Sequence, residues 1–256
     1  MTIDPPQCSE TEAQVCLLTD LLPADIGADR PEQTQSLLER MEAGLQDAGM
    51  NFSHVVRTWF YLDDILDWYT PFNTVRNKFF TERNVFQGVV PASTGVGMRN
   101  AAGAALTGAV LAVKPRSPGV KTFAVPSPLQ CPALDYKSSF SRAVEVQMSG
   151  SRYLYISGTA SIAPEGHSVH LGDVDKQIEL TMAVVDAILE SRNMELGDTS
   201  RAVAYFKDLS DAPRFEAYCR THDLSAMPVT PVEATICRGE LLFEIELDAI
   251  TTRQAP

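Results

Sequence analysis

The stretch Val55-Val-Arg-Thr-Trp-Phe-Tyr-Leu-Asp-Asp64 decides the fold, because Thr199-Ser-Arg-Ala-Val-Ala-Tyr-Phe-Lys-Asp208 repeats it 144 residues later. Arginine, tyrosine and aspartate recur at the same places in the two stretches. Both stretches alternate between polar and apolar residues, which is typical of half-buried β-strands. An internal repeat at this spacing predicts that the chain contains two copies of one structural unit.

Amphipathic helices are predicted on both sides of each of these strands. Apolar residues at helical spacing precede the first strand at Leu37, Leu38, Met41 and Leu45, and the second at Ile178, Met182, Val185 and Leu189, behind the N-cap candidate Asp173. The helices that follow carry Trp68, Tyr69, Phe72, Val75 and Phe79 in one copy and Phe215, Tyr218 and Cys219 in the other. We interpret these stripes as core, because burial alone demands such spacing.

Further strands complete each copy and predict an α+β fold, with mixed sheets each backed by two helices. They cover residues 91–98 and 105–113 in the first copy, and 230–237 and 241–250 in the second. The second copy also opens with a hairpin, 140–148 and 153–159, of which the first copy has only a remnant around residues 15–18. Residues 114–132 contain five prolines and indicate an extended linker. We therefore predict an incomplete module over residues 1–120 and a complete one over residues 121–256.

Composition excludes several classes of protein. The 256 residues are 45% hydrophobic and carry a net charge of −12, with no basic stripe for a nucleic acid. The longest uncharged apolar run, residues 101–113, is too short to span a membrane, and residues 1–10 lack the pattern of a secretory signal. Five scattered cysteines indicate free thiols and a cytoplasmic location. The scattered histidines and the absence of nucleotide-binding motifs predict neither a metal ion nor a cofactor.

The order of elements, with Leu154-Tyr-Ile-Ser-Gly158 and Leu242-Phe-Glu-Ile-Glu246 on two strands of the second copy, resembles the Rid (YjgF-like) fold, which is also chorismate-mutase-like. Deaminases of that family carry an arginine soon after the proline that opens the penultimate strand. The corresponding places here are Pro91-Ala-Ser-Thr94 and Pro228-Val-Thr-Pro231, which contain no arginine. This departure disfavours imine deamination.

Longer strings resemble the chorismatases, which are built from fused Rid-like modules. These strings are Ser127-Pro-Leu-Gln-Cys-Pro-Ala-Leu-Asp-Tyr-Lys-Ser-Ser-Phe-Ser-Arg-Ala-Val-Glu145, Ser157-Gly-Thr-Ala-Ser161 and Cys237-Arg-Gly-Glu-Leu-Leu-Phe-Glu-Ile-Glu246. The resemblance implies a cofactor-free enzyme of secondary metabolism that cleaves the enolpyruvyl ether of chorismate, releasing pyruvate. It also implies that Glu244 is the general acid. Small residues beside the acid, matched here by Gly150 and Cys237, imply 3-hydroxybenzoate as the second product.

The residues themselves agree with part of this reading. Strand alternation places Glu244, Glu246 and Asp248 on the face away from the helices, and the equivalent strand of the first copy has no acid. Chorismate carries two carboxylates, for which arginine is the best-suited partner. The candidates for substrate binding, chosen because they share strand faces or lie in the chorismatase-like string, are Arg142, Arg57, Tyr61 and Tyr205.

Several alternatives stay open at this stage. Gly150 is also explained by a positive φ angle in its turn, and Cys237 by packing as a small apolar residue. A hydrolytic chorismatase giving a dihydroxycyclohexadienoate, a Rid-type enamine or imine deaminase, and a non-catalytic ligand-binding protein of this fold are the other candidate functions. The uncovered sheet face of an incomplete module predicts a homo-oligomer.

Overall fold

A computed structural model describes residues 12–136 and 138–256, which form two modules that pack against each other. The first module contains β1 (Ala13–Leu21), α1 (Arg30–Asp47), β2 (Val55–Leu62), α2 (Ile65–Glu82), β3 (Ala92–Gly97) and β4 (Leu106–Pro115). The second contains β5 (Lys121–Val125), β6 (Ala143–Gln147), β7 (Arg152–Ala160), α3 (Val174–Glu190), β8 (Thr199–Phe206), α4 (Ala212–Thr221), β9 (Val229–Glu233) and β10 (Phe243–Thr251).

Each module is built on one mixed sheet. The strand order is β1-β4-β2-β3 in the first module and β5-β6-β7-β10-β8-β9 in the second. The β2–β3 and β8–β9 pairs are parallel, and the other strand pairs are antiparallel. β2 and β8 begin and end 144 residues apart, as the repeat predicts. The predicted α+β class with helix-backed mixed sheets is confirmed.

Local sequence explains where the helices begin and which faces they bury. The side chain of Asp29 accepts a hydrogen bond from the backbone of Glu32 at the start of α1, and Asp173 caps α3 in the same way through Lys176. The predicted stripes of α1 and α3 are buried against their sheets. The prediction that they form the core is confirmed.

The opposite faces of the two sheets pack on each other. Trp59, Leu111 and Val113 of the first sheet share one apolar cluster with Val144 and Tyr155 of the second. The strands also touch at their edges, where Ala92 bridges to Ser141 and Gly97 to Thr235. The molecule is therefore a sandwich of two sheets, with helices outside and the contact between modules inside.

Three segments differ from what the sequence predicts. β1 is a nine-residue strand paired with β4, rather than a short remnant. The proline-rich linker contains β5, which pairs with β6. The penultimate strand ends at Glu233, so Cys237 lies in the loop before β10 and not on a strand. Edge strands with few buried side chains give weak alternation, which is why these bounds were missed.

The described residues contain neither a membrane-spanning helix nor a cluster of metal-ligand side chains. None of the helices there is long and apolar enough to cross a membrane. Within residues 12–136 and 138–256, no group of three or more histidine, cysteine, aspartate or glutamate side chains is placed to hold a metal ion.

Candidate functional site

A narrow cavity of about 50 Å³ lies where α2 and β3 of the first module meet the second module. The first module lines it with Tyr69, Arg76, Ser93 and Gly95, and the second with Ser138, Phe140, Arg142, Gly158, Ala160, Ile162, Cys237, Arg238, Leu241 and Glu244. We call it the Glu244 pocket. Since both modules supply its walls, neither module forms this site alone.

Glu244 reaches the pocket because of the alternation of β10. Phe243, Ile245 and Leu247 pack toward the helices, so Glu244 points to the opposite face and is 4% exposed. Among the residues that the structure describes, no cation forms a salt bridge with its carboxyl group. Burial raises the pKa of Glu244 to about 8, and the negative charge of Glu246 adds to the rise. At neutral pH the side chain is therefore predominantly the protonated acid.

Gly158 of β7 leaves room for the carboxyl group of Glu244. A Cβ atom at this position would overlap Oε1 of Glu244 and lie 3.0 Å from its carboxyl carbon. The carboxyl group thus lies directly against the Gly158 backbone, where only glycine leaves room for it. The Gly158 N–H donates a 3.2 Å hydrogen bond to Oγ1 of Thr94, across the boundary between the modules.

Cys237 and Tyr69 add neutral groups to the pocket. Burial raises the pKa of the Cys237 thiol to about 12, so the thiol stays protonated and is not a nucleophile. The Tyr69 hydroxyl lies beside this thiol, and burial raises its pKa as well. Cys237 therefore shapes the wall near the acid. Tyr69 was interpreted from sequence as core alone, because its helical spacing is also what burial requires.

Three arginines line the same pocket. Arg142, predicted as a substrate-binding residue, is here and donates from Nε and Nη2 to the carbonyl of Cys131 at 3.0 and 2.9 Å. Arg238 donates to the carbonyl of Gly166 at 2.9 Å. Arg76, which was not among the residues predicted from the sequence, is buried on α2 and donates to Oδ1 of Asn73 at 2.6 Å. A charged residue inside the apolar stripe of α2 was the signal that could have identified it.

Arg57 is not in the Glu244 pocket. It is fully buried, pairs with Glu246 at 3.1 Å and donates to the carbonyl of Ile156 at 2.5 Å. Its repeat-related counterpart, Arg201, pairs with both Glu246 and Asp248. These four side chains form a buried ion cluster that joins the two sheets. Arg57, predicted as a substrate-binding residue, therefore lies in this cluster and not with Glu244. Strand alternation gives the face of a residue but not its depth, so the sequence could not reveal this placement.

Tyr61 and Tyr205 also lie outside the Glu244 pocket. They line a separate cleft of about 790 Å³ between β4 of the first module and β8 and β9 of the second, which we call the open cleft. Their phenol groups lie next to each other, and burial raises the pKa of both. The structure does not bring them together with Glu244.

Gly150 is the remaining correction. It lies in the exposed turn between β6 and β7, and a Cβ atom there would meet nothing within 4 Å. Its φ angle is not positive either, so neither reading of this residue holds. The small residue beside the acid is Gly158, eight residues further along the chain.

Comparisons with known proteins agree with this architecture. A family model described as Endoribonuclease L-PSP matches residues 22–107 and 132–251. A RutC family protein of Pyrococcus abyssi is 27% identical over 108 residues, which are 42% of this chain and 82% of that protein. A RutC family protein of Pyrococcus horikoshii is 27% identical over 100 residues, covering 39% and 79%. A chorismatase crystal structure superimposes with a TM-score of 0.76 at 20% identity, over 93% of this chain and 75% of that one. The match spans both modules and confirms the tandem Rid-like fold.

Proposed function

Since this chain belongs to the Endoribonuclease L-PSP family and encloses a buried acid between its modules, we propose that it is a chorismatase. The reaction is cleavage of the enolpyruvyl ether of chorismate to pyruvate and 3-hydroxybenzoate. The observation that carries the proposal is the Glu244 carboxyl group, whose pKa is raised by its burial in a pocket lined by three arginines.

A protonated carboxyl group is what cleavage of an enol ether requires. Glu244 transfers its proton to the terminal methylene of the enolpyruvyl group, and the electrons of the double bond leave an oxocarbenium ion stabilised by the ether oxygen. A general acid works best when its pKa lies near the operating pH, which an ordinary glutamate does not offer at pH 7. Burial beside Glu246 supplies that shift in this chain.

The fate of the oxocarbenium ion decides the product. If water adds to it, the adduct collapses to pyruvate and a dihydroxycyclohexadienoate. If water is absent, the neighbouring ring hydroxyl displaces pyruvate from the ring carbon and loses its proton, and the resulting epoxide opens and loses a ring proton to give 3-hydroxybenzoate. Apolar side chains in the pocket wall, those of Phe140, Ile162 and Leu241, support the route without water.

The arginines suit the two carboxylates of chorismate. Arg76, Arg142 and Arg238 surround the pocket from three different segments, so they approach a ligand from different sides. A planar guanidinium group binds a carboxylate through two parallel hydrogen bonds. This pattern also differs from a deaminase, whose arginine follows the proline before β3 or β9.

The pocket must widen to admit this substrate, because chorismate is larger than the cavity. Ser138 and Phe140 line it, in a segment held by the Ser139–Asn77 hydrogen bond and by Ser141, which forms hydrogen bonds with Val90, Pro91 and Ser157. Each of these hydrogen bonds is worth only about 1 kcal/mol net. We propose that this segment moves when substrate enters.

Incubation of the purified protein with chorismate, followed by separation of the products, tests the proposal. Equal amounts of pyruvate and 3-hydroxybenzoate are expected. Pyruvate with a non-aromatic diol would identify a hydrolytic chorismatase. Without chorismate turnover, hydrolysis of an imine generated in situ would identify a deaminase. Binding of chorismate without turnover of either compound would identify a ligand-binding protein.

A further inference from the structure

Thr94 lies on β3 of the first module, in which β4, the strand equivalent to β10, carries no acidic residue. Its side chain is 1% exposed and sits between the buried ion cluster and the floor of the Glu244 pocket. Oγ1 accepts the N–H of Gly158 at 3.2 Å and a hydrogen from Nη2 of Arg57 at 3.4 Å. The hydroxyl also lies near the carboxylate of Glu246 and helps to keep the pKa of that carboxyl group low. One hydroxyl group thus connects the ion cluster to the pocket floor.

Gly158 is the residue against which the acid lies, so whatever fixes its backbone also fixes the acid. A Cβ atom at Gly158 would lie 3.4 Å from the γ-methyl group of Thr94 and would overlap the Glu244 carboxyl. The Gly158 backbone is therefore packed between these two side chains. Displacement of that backbone by a few tenths of an ångström would change where the acid can point.

We infer that Thr94 is a positioning residue that holds the Glu244 acid in place across the module boundary, through the backbone of Gly158. This role rests on the proposed function, and it assigns the first module a part in the chemistry of the second. A hydroxyl group is needed because Oγ1 accepts hydrogen bonds from both Gly158 and Arg57. Valine has the same shape and can accept neither.

The internal repeat supplies a matched control. Thr230 of β9 stands opposite Val203 in the strand register, just as Thr94 stands opposite Trp59, and Val203 and Trp59 are 144 residues apart. Thr230 is exposed and lines the open cleft instead of the Glu244 pocket. Substitution of either threonine by valine therefore removes the same hydroxyl group, near Glu244 in the case of Thr94 and away from it in the case of Thr230.

The fold is expected to survive loss of the Thr94 hydroxyl. Ser157 Oγ accepts the N–H of Ser93 at 2.9 Å, and Arg57 of β2 still donates to the carbonyl of Ile156, so β3 and β2 both stay joined to β7. The groups that face Glu244 are also untouched. They are Glu246 on its own strand, Tyr69 and Arg76 on α2, Arg142 before β6, and Cys237 and Arg238 in the loop before β10.

Steady-state kinetics with chorismate on Thr94→Val, Thr94→Ser and Thr230→Val test the role. Thr94→Val should lower kcat by about tenfold or more while KM changes less than twofold, because the acid is misplaced and the arginines are not. Thr94→Ser should stay within about threefold of the parent, and Thr230→Val should match it. Equal kcat values for Thr94→Val and Thr230→Val, or equal losses in Thr94→Val and Thr94→Ser, would overturn the inference.

A second measurement separates this inference from the proposed function. Carbon-detected NMR of protein labelled at the glutamate carboxyls, assigned with Glu244→Gln, follows the titration of Glu244 without any substrate. Thr94→Val should lower its midpoint by half a pH unit or more, as water reaches a loosened carboxyl, whereas Thr94→Ser and Thr230→Val should leave it in place. An unchanged midpoint in Thr94→Val rejects the positioning role, even for a protein that does not cleave chorismate.

Discussion

At the scale of single residues, the contrast between Glu244 and Glu246 explains the site. The two glutamates share one face of β10, and both are buried. Arg57 and Arg201 hold the pKa of Glu246 low despite its burial, so it stays ionised. Glu244 has the negative charge of Glu246 nearby instead, so its pKa rises. Two residues of the same type therefore have opposite protonation states, because only one of them lies within the ion cluster.

Glu244→Gln tests the acid directly. The amide has nearly the shape of the protonated carboxyl group but no proton to transfer, so the fold should be kept and kcat should fall by about 10²- to 10⁴-fold. Circular dichroism checks the fold and pyruvate release checks the rate. A kcat within about threefold of the parent would mean that Glu244 is not the acid.

The same substitution should change how stability depends on pH. Since the pKa of Glu244 rises on folding from 4.5 to about 8, the folded state holds a proton that the unfolded state releases between these values. The stability contributed by this group is therefore fully present below pH 4.5 and is lost as the pH rises toward 8. Glu244→Gln lacks this loss, so its melting temperature relative to the parent should increase from pH 5 to pH 8. A constant difference would show that Glu244 titrates normally.

Gly158→Ala should inactivate the protein without unfolding it. The added methyl group meets the end of a flexible side chain, so the Glu244 carboxyl is displaced while the strands stay paired. Gly150→Ala is the control, since its methyl group would meet nothing within 4 Å. We expect at least a tenfold loss of kcat in the first variant and parental activity in the second. Equal activities would place the acid elsewhere in the working enzyme.

At the scale of elements, the periodicity of apolar residues correctly predicted features that depend on a single helix or strand. It failed where side chains from two separate segments meet. The apolar stripes of α1 and α3 and the alternation of β10 were predicted correctly, because each pattern requires only that one side of its own element is buried. Arg57 was misplaced because the carboxylate that it binds lies 189 residues away on the other module. Arg76 and Tyr69 were hidden because α2 buries one stripe against both its own sheet and the second module.

The loop before β10 should control the product ratio through Cys237. This thiol lies in the pocket wall, so Cys237→Ala enlarges the cavity beside the acid and admits water. A tenfold change in partition between two exits from one intermediate requires only about 1.4 kcal/mol. Chromatography should therefore show more dihydroxycyclohexadienoate and less 3-hydroxybenzoate. The same ratio as in the parent would leave Cys237 as a packing residue only.

At the scale of the whole molecule, the two modules do not use their equivalent surfaces equally in the contact between them. Thr94 of β3 is buried against the second module, whereas its counterpart Thr230 of β9 is exposed at the open cleft. The second module thus leaves exposed, at β9, the surface that corresponds to the one with which β3 of the first module contacts the second. Contacts of this one-way kind can continue from chain to chain.

We therefore propose that the chain forms a homo-oligomer through the open cleft. Light scattering on the purified protein should give a mass above 28.0 kDa that falls on dilution. Val232→Arg in the cleft should shift the distribution toward the monomer, because a buried charge without a partner is costly. A monodisperse species near 28 kDa in the parent would contradict this expectation.

Pro231 gives the exposed strand β9 a further property. The carbonyl of Pro228 and the N–H of Ala234 both form hydrogen bonds with β8. Because the backbone groups of successive strand residues point to opposite sides, the backbone nitrogen of Pro231 points away from β8, toward the outer edge of the sheet. A proline has no N–H, and the outer border of the six-stranded sheet therefore lacks a donor at its centre. A foreign strand cannot pair fully along it. The chain can leave this edge open to solvent without offering a template for amyloid growth.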